Sequence, residues 1–370
     1  MAGLYVHIPF CASRCIYCDF YSTTNRNRSR FITRLLDEAR QSDVFPTRKF
    51  RTVYIGGGTP SQLSPIELNS LVDGLQSIFD LSYVEEFTLE MNPEDVTADY
   101  VAALPSAINR VSMGVQTFID DELRLLRRRH DSRRPAKAIE LLREKGIGNI
   151  SIDLMYGLPT QTLDSFSRSI DQAIALGTKH ISAYNLSVEN GTPLARMVSN
   201  GSITPADDEL CNAMNDLLRD RLRAAGFVQY EISNYAISGY ESRHNSAYWD
   251  GSPYLGLGPG AHSYDGKNRR WWNEPNLDAY LDGQCLRGEE ELSSDDLYDE
   301  RIMLSLRTRK GLNVNALRNS FPTQYEKAFK TACQSFIADG MLIADASTGQ
   351  IHISADGLHM ADFIIRELMV

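Results

Sequence analysis

The 370-residue chain has no apolar run approaching the roughly 20 residues that a membrane-spanning helix needs, so a helical membrane span is not expected. Its first residues, MAGLYVHIPF, carry no basic stretch ahead of the apolar one, so they do not read as a signal peptide and a cytoplasmic location is expected. Positive charge is scarce: 38 Lys and Arg stand against 48 Asp and Glu, a net charge of −10. That balance argues against nonspecific nucleic-acid binding, which relies on cations that displace counterions. The main basic run, Arg127-Arg128-Arg129, reads either as a solvated helix end or as a ligand contact. Cysteine is sparse as well. Of six, Cys211, Cys285 and Cys333 are scattered and read as small buried hydrophobes. The other three crowd into eight residues, too close to satisfy one another as disulfides, and suggest a metal site in a reducing compartment. No internal repeat or low-complexity tract is present.

What is there is a regular alternation. Strands are predicted at Leu4–Pro9, Thr52–Ile55, Glu86–Met91, Arg110–Val115, Asn149–Met155 and His180–Leu186, each short, β-branched or aromatic, and bounded by turn residues. Helices are predicted between them. Ser64-Pro65-Ile66-Glu67 has a capping-box pattern with Pro at the first helical position. Ser132 is expected to cap the helix that stops near Gly146, and another runs from Thr162 to Leu176. Six βα units in a row give parallel strands with right-handed crossovers. An open doubly wound sheet and a barrel both fit that order. The unusual residues favour a partial (β/α)6 barrel, because Cys11, Gly56–Gly58, Glu90, Gln116 and Asp153 all sit at the C-terminal ends of strands, the rim where barrels carry their sites. The barrel is expected over 1–225, with its last helix capped by Thr204-Pro205. A Gly- and aromatic-rich irregular segment closing the barrel mouth is expected over 226–290. An α+β domain of winged-helix-like order is expected over 291–370, and its balanced charge suggests a structural or partner-docking role.

Cys11, Cys15 and Cys18 have the spacing C-x3-C-x2-C. A loop of this kind can place three thiolates at three corners of an Fe4S4 cube, leaving one iron open to a small ligand such as the amino and carboxylate groups of S-adenosylmethionine (SAM). The alternative is a structural zinc site completed by His7, Asp19 or a distant residue.

Cys-x3-Cys-x-aromatic-Cys, preceded by Tyr5-x-His7-Ile8-Pro9-Phe10, resembles the signature of the radical SAM superfamily, in the branch that holds oxygen-independent coproporphyrinogen III oxidase and the HemW-type heme chaperones. The resemblance covers essentially the whole chain. It implies a cluster held by the three cysteines and SAM bound at its open iron. In that superfamily the reduced cluster cleaves SAM to methionine and a 5′-deoxyadenosyl radical. It further implies that Gly57, Gly58 and Thr59, after the second strand, meet the methionine end of SAM. Glu90 would accept the ribose hydroxyls, and Tyr5, Tyr17, Gln116, Arg128 and Asp153 would complete the contacts. From residue chemistry alone, the glycines equally read as a tight turn and Glu90 as a surface acid.

Within the branch, three features resemble the chaperones. Only ten residues precede Cys11, leaving no room for the oxidase's N-terminal extension. The motif continues Cys18-Asp19-Phe20 and not Cys-Gly-Cys. His244-Asn245-Ser246-Ala247-Tyr248-Trp249 matches a His-Asn-x-x-Tyr-Trp motif of the HemW type. An imidazole can ligate heme iron and the two aromatic rings can flank a porphyrin, so His244, Tyr248 and Trp249 are the expected heme contacts. A lone His, by itself, is as readily a hydrogen-bonded structural residue. His262, in Gly256–Ser263, reads as a second ligand, a polar wall or part of a tight turn. The first functional reading is a heme chaperone that passes heme to acceptor hemoproteins, membrane-bound respiratory enzymes among them, with a homodimer compatible with the family. The second is coproporphyrinogen III oxidase, and the third another radical SAM reaction such as methylation.

Overall fold

Period-two patterning organises the first half of the chain in the computed structural model, which describes residues 2–25, 28, 30–43, 45–284 and 286–370. The expectation for Cys285 lies outside the described residues. Six strands, β1 (Ala2–Ile8), β2 (Phe50–Gly57), β3 (Glu86–Met91), β4 (Arg110–Gln116), β5 (Asn149–Tyr156) and β6 (His180–Asn185), lie side by side in chain order, and all are parallel. The order never reverses, which separates this sheet from a doubly wound one. Leu4, Val6, Ile8, Val53, Ile55, Phe87 and Leu89 point to one face and join one continuous core with the helices that pack there. Tyr5, His7, Thr52, Tyr54, Thr88, Glu90, Arg110 and Ser112 alternate with them and line the other face. Apolar outside and polar inside is the pattern of a barrel whose lumen serves a ligand.

The connecting helices follow their local chemistry. The helix Pro65–Ile78 begins at Ser64, whose side chain accepts from Glu67 N while the Glu67 carboxylate accepts from Ser64 N. Thr162 and Ser165 form the same reciprocal cap on Leu163–Ala175. Two expected caps are displaced. The helix Arg134–Glu144 starts after Arg133 with no side-chain cap, because Asp131 takes the Arg133 and Arg134 N–H groups and Ser132 N goes to Asp120. The long helix Asp208–Ala224 is capped by Asp207 and not by Thr204-Pro205.

The segment 226–290 is not an irregular cover over the mouth. It extends the sheet at both edges. β7 (Val228–Gln229) and β8 (Asn234–Ala236) add antiparallel strands beside β6. β9 (Tyr254–Leu257) runs parallel to β1, and β10 (His262–Tyr264), β11 (Arg269–Asn273) and β12 (Arg287–Glu291) continue antiparallel, giving twelve strands in one sheet. Alternating residues such as Ser263, Trp271 and Leu255, which are buried, supply the strand period that the glycines obscure. Between β8 and β9 the helix Arg243–Trp249 crosses the opposite end of the barrel, against the N-terminal ends of β1, β2 and β3.

A second core runs from Tyr298 to Leu368. Its order is helix Ser294–Leu306, strand β13 (Leu312–Asn313), helices Val314–Ser320 and Thr323–Ala338, then β14 (Leu342–Asp345) and β15 (Gln350–Ile353), with β15 between the other two strands. That is the winged-helix order, closed by the helix Ala361–Glu367. Cys333 is buried in this core, whereas Cys211 is only half-buried on the barrel.

Candidate functional site

At the C-terminal rim, Cys11, Cys15 and Cys18 are free thiols on the loop after β1, each half-buried. Burial pushes the Cys11 and Cys18 thiols up, with a smaller upward push from Cys15 on each, so a metal must displace their protons to bind. Donors already face the sulfurs. Thr59 Oγ1 donates to Cys11 Sγ at 3.3 Å, and Arg128 Nη1 reaches Cys15 Sγ at 3.6 Å. Hydrogen bonds to sulfur are a recognised control of cluster potential. Tyr17 lies in the same group. Its hydroxyl is raised by burial and by the Cys15 charge, while Arg128 opposes that shift.

The run Arg127-Arg128-Arg129 divides cleanly. Arg127, in left-handed backbone (φ 59°), and Arg129 are exposed. Arg128 turns inward, donating from Nη2 to Asn92 Oδ1 at 2.6 Å and to Gly114 O at 2.5 Å. Its Nε is buried with no partner among the described residues, an open donor beside the cysteine loop. Asn92 also donates to Thr59 Oγ1 at 3.4 Å. Asn92 escaped sequence reading, because an Asn before Pro reads as a turn residue. His7, one of the alternative zinc ligands, has both ring nitrogens engaged, Nδ1 with the Tyr5 hydroxyl and Nε2 with Tyr21 O, each at 3.0 Å.

The glycines after β2 are required by internal packing. A Cβ on Gly58 would stand 2.9 Å from the Pro9 backbone and 3.0 Å from Cys11 Sγ, and one on Gly57 (φ 112°) would meet the His7 ring at 2.7 Å. Their N–H groups are also committed, Gly57 N to Glu90 Oε2 at 3.0 Å and Gly58 N to Ile8 O at 2.8 Å. In this structure the turn seats the cysteine loop and orients Glu90.

Glu90 lies below that turn, with Oε1 accepting from Tyr54 at 2.7 Å. Burial raises its carboxyl to about 7, aided by the Asp153 charge and opposed by the Tyr54 bond. Asp153 is raised by burial too, and Ser112 donates to it at 3.3 Å. Gln116 ends β4 in left-handed backbone (φ 70°), where the register with β5 breaks. Tyr5, Glu90, Asp153, Gln116 and Arg128 thus share the lumen and rim with the three thiols. A buried carboxyl raised to about 7, an arginine donor and three free thiols fit a cluster with a nucleoside-bearing ligand.

The His-Asn-x-x-Tyr-Trp motif is elsewhere. The helix Arg243–Trp249 closes the barrel's N-terminal end, and Glu86 caps it by accepting from Arg243 N at 2.9 Å, His244 N at 3.0 Å and Ser242 Oγ at 3.4 Å. His244 is 2% exposed. Its Nδ1 bonds Thr52 Oγ1 and its Nε2 the Tyr248 hydroxyl, both at 2.9 Å, and its ring stacks on Tyr54. Burial lowers it to about 3. No nitrogen is left for an iron, so the expected axial role of His244 gives way here to bracing. Tyr248 packs edge-on against Tyr254. Trp249 is half-buried, and its indole N–H has no partner among the described residues.

Comparison with known proteins places these observations. Residues 5–173 match the radical SAM superfamily, and residues 292–350 match the HemN C-terminal domain. The heme chaperone HemW of Mycobacterium tuberculosis (strain H37Rv) is 37% identical, over 99% of this chain and 94% of its own length. HemW of Escherichia coli is 34% identical, over 80% of this chain and 79% of its own. The mouse radical S-adenosyl methionine domain-containing protein 1, mitochondrial, is 32% identical, over 100% of this chain and 87% of its own. Coproporphyrinogen III oxidase (HemN) from Escherichia coli shares the fold, with a TM-score of 0.83 at 23% identity, over 100% of this chain and 90% of that one.

Proposed function

The chain belongs to the HemW family of radical SAM proteins, and we propose on that basis that it is a heme chaperone, binding heme beside an Fe4S4 cluster with SAM and delivering heme to acceptor hemoproteins. Similarity along the whole length to proteins of that name carries this reading. The rim supports its cofactor half. Cys11, Cys15 and Cys18 would hold the cluster, and Glu90, Arg128, Asp153, Gln116, Tyr5 and Tyr17 would surround SAM. When bound, the cluster and SAM supply one-electron chemistry. The protein's own share is local. Thr59 and Arg128 donate to sulfur, Glu90 accepts hydroxyls, and the lumen walls exclude water.

The receivers in this reading include membrane-bound respiratory enzymes, met from the cytoplasm. No helix among the described residues is long and apolar enough to cross a membrane, so such a meeting would be peripheral. A homodimer belongs to the same reading and is tested by sedimentation. The deciding experiment reconstitutes the cluster anaerobically and follows two arms. Heme titration should give a saturable Soret band and transfer to an apo-hemoprotein. Coproporphyrinogen with SAM and reductant should give no protoporphyrinogen. Product formed at a useful rate, or no heme bound, overturns the proposal.

A further inference from the structure

The turn after β3, Asn92–Val96, is clasped at the C-terminal rim by the segment Arg128–Arg134, which follows β4. Arg134 donates from Nε to Pro93 O at 3.1 Å, and from Nη2 to Glu94 O at 3.4 Å and Val96 O at 2.7 Å. Asp95 stands 3.9 Å from Arg129 and accepts from Ser61 at 2.7 Å and Gln62 at 2.8 Å, which ties in the loop after β2. These contacts already fix the backbone of the turn.

A further pair lies inside the clasp. His130 Nδ1 and Glu94 Oε2 are 3.2 Å apart, with the His130 side chain fully buried and that of Glu94 14% exposed. His130 Nε2 is buried with no partner among the described residues. Burying an acid and an imidazole that has one nitrogen unmatched costs more than a single hydrogen bond contributes. Fold stability therefore does not account for the pair.

Arg128 does. It is a buried guanidinium whose hydrogen-bond partners, Asn92 Oδ1, Gly114 O and Cys15 Sγ, include no carboxylate. Its charge is balanced through space: burial opposes it, while Tyr17, Cys15 and Glu94 favour it. Glu94 feels the same field. Burial pushes its carboxyl up, yet the His130 bond and the Arg128 charge outweigh burial and hold it below the ordinary value, so it is ionised at neutral pH. Asp153, the other carboxylate that feels Arg128, is bonded to Ser182 and Ser112. Glu94, two residues along the turn from Asn92, is left as the counter-charge of Arg128. A cation beside the sulfurs favours the more negative, reduced state of a cluster, and a carboxylate that neutralises the cation tempers that preference.

We propose that Glu94, fixed in place by His130, is a positioning residue that governs how strongly Arg128 acts on Cys15 and so sets the reduction potential of the bound cluster. The proposal rests on the cluster reading of the three cysteines and adds the groups that tune it.

The test reconstitutes the full-length protein anaerobically and titrates it with dithionite in the presence of mediator dyes, following the one-electron reduction by visible absorption and electron paramagnetic resonance. Glu94→Gln should load wild-type iron. At the wild-type midpoint its ratio of reduced to oxidised cluster should rise about tenfold, the effect of one partly screened charge. His130→Leu should shift the ratio in the same direction, and His130→Asn, which returns a donor at the Nδ1 position, should restore it. A purely structural pair would lower the melting temperature in these variants and leave the potential where it was. In an Arg128→Gln background, Glu94→Gln should have no further effect. An unchanged potential in loaded Glu94→Gln and His130→Leu overturns the inference while the cluster reading stands. A shift of equal size with and without Arg128 also overturns it, because Glu94 would then act on the cluster directly. Wild-type protein that holds zinc and develops no cubane signal removes the cluster reading and the inference together.

Discussion

The two ends of the barrel are built on the same six strands, yet their polar groups are finished to different degrees. At the N-terminal ends, Glu86 accepts three donors from the segment Ser242–His244. His180 is bonded at both ring nitrogens, to Ser151 at 2.7 Å and Tyr230 at 2.8 Å, and His244 likewise to Thr52 and Tyr248. Arg110, 1% exposed, stands 3.9 Å from Glu86, near enough for charge though too far for a hydrogen bond. At the C-terminal ends the thiols are free, Arg128 has a donor without a partner among the described residues and Glu90 is raised to about 7. A floor whose acid and histidines are hydrogen-bonded holds the fold, although Arg110 Nε and Trp249 Nε1 are buried there with no partner among the described residues. A rim with open valences awaits ligands, in keeping with the division of labour in barrels.

The sharpest way to break this contrast is to remove one group from each end. Cys15→Ala should eliminate essentially all cluster iron and its visible absorption after anaerobic reconstitution. The apo protein should melt within about 0.5 kcal/mol of wild type, as a substitution outside the packed core does. Arg110→Leu should do the reverse. It removes the buried counter-charge of Glu86, whose carboxylate keeps its bonds from Ser242 Oγ, Arg243 N and His244 N, and should cost about 3–5 kcal/mol in urea unfolding, as breaking a buried ion pair does. Wherever the variant remains folded it should still load iron. If Arg110→Leu loses iron while keeping wild-type stability, the two ends are not separate.

Legibility from sequence follows the same division. The six parallel strands were readable because each is short, β-branched or aromatic and bounded by turn residues, and the three thiols because no other arrangement of the chain's cysteines is so dense. Glu90, Asp153 and Arg128 were readable as positions but not as geometry. Which of three consecutive arginines turns inward depends on the left-handed backbone at Arg127, which sequence does not announce. The 226–290 segment was misread because its glycines mask strands as short as two to five residues. The His244 motif misled for a different reason. A histidine beside two aromatic residues has the same composition whether it faces a porphyrin or a neighbouring strand, and only its placement over Gly3 and Thr52 separates the two.

A finer cut at the rim uses Glu90→Gln. The carboxyl's folded value near 7 lies above its ordinary 4.5. Between those values the folded chain keeps a proton that the unfolded chain has lost, so wild-type stability falls as pH rises through the window. The glutamine variant has no such loss. Its apo form should be more stable than wild type above pH 7, and the gap should close below about pH 4.5. SAM affinity measured by calorimetry should drop about 10–100-fold, the worth of charged hydrogen bonds to ribose. Unchanged SAM affinity would remove Glu90 from the site.

The smallest expected effect tests whether the floor is as self-contained as its hydrogen bonds indicate. Burial lowers His244 from 6.5 to about 3, with a lesser contribution from Arg110. Below pH 6.5 the unfolded chain takes up a proton that the folded chain refuses, so stability is lost as pH falls from 6.5 toward 3. His244→Gln keeps a polar group between Thr52 and Tyr248 and removes this titration. Relative to pH 7.5, wild type should lose about 1 kcal/mol more than the variant by pH 5.5. His180, also lowered by burial, remains in place, so the acid slope should be reduced and not abolished. The rim provides the control, because the same variant should load cluster iron to the wild-type level at pH 7.5. An identical acid slope in variant and wild type would mean that water or a ligand reaches His244, and that the floor is open to chemistry after all.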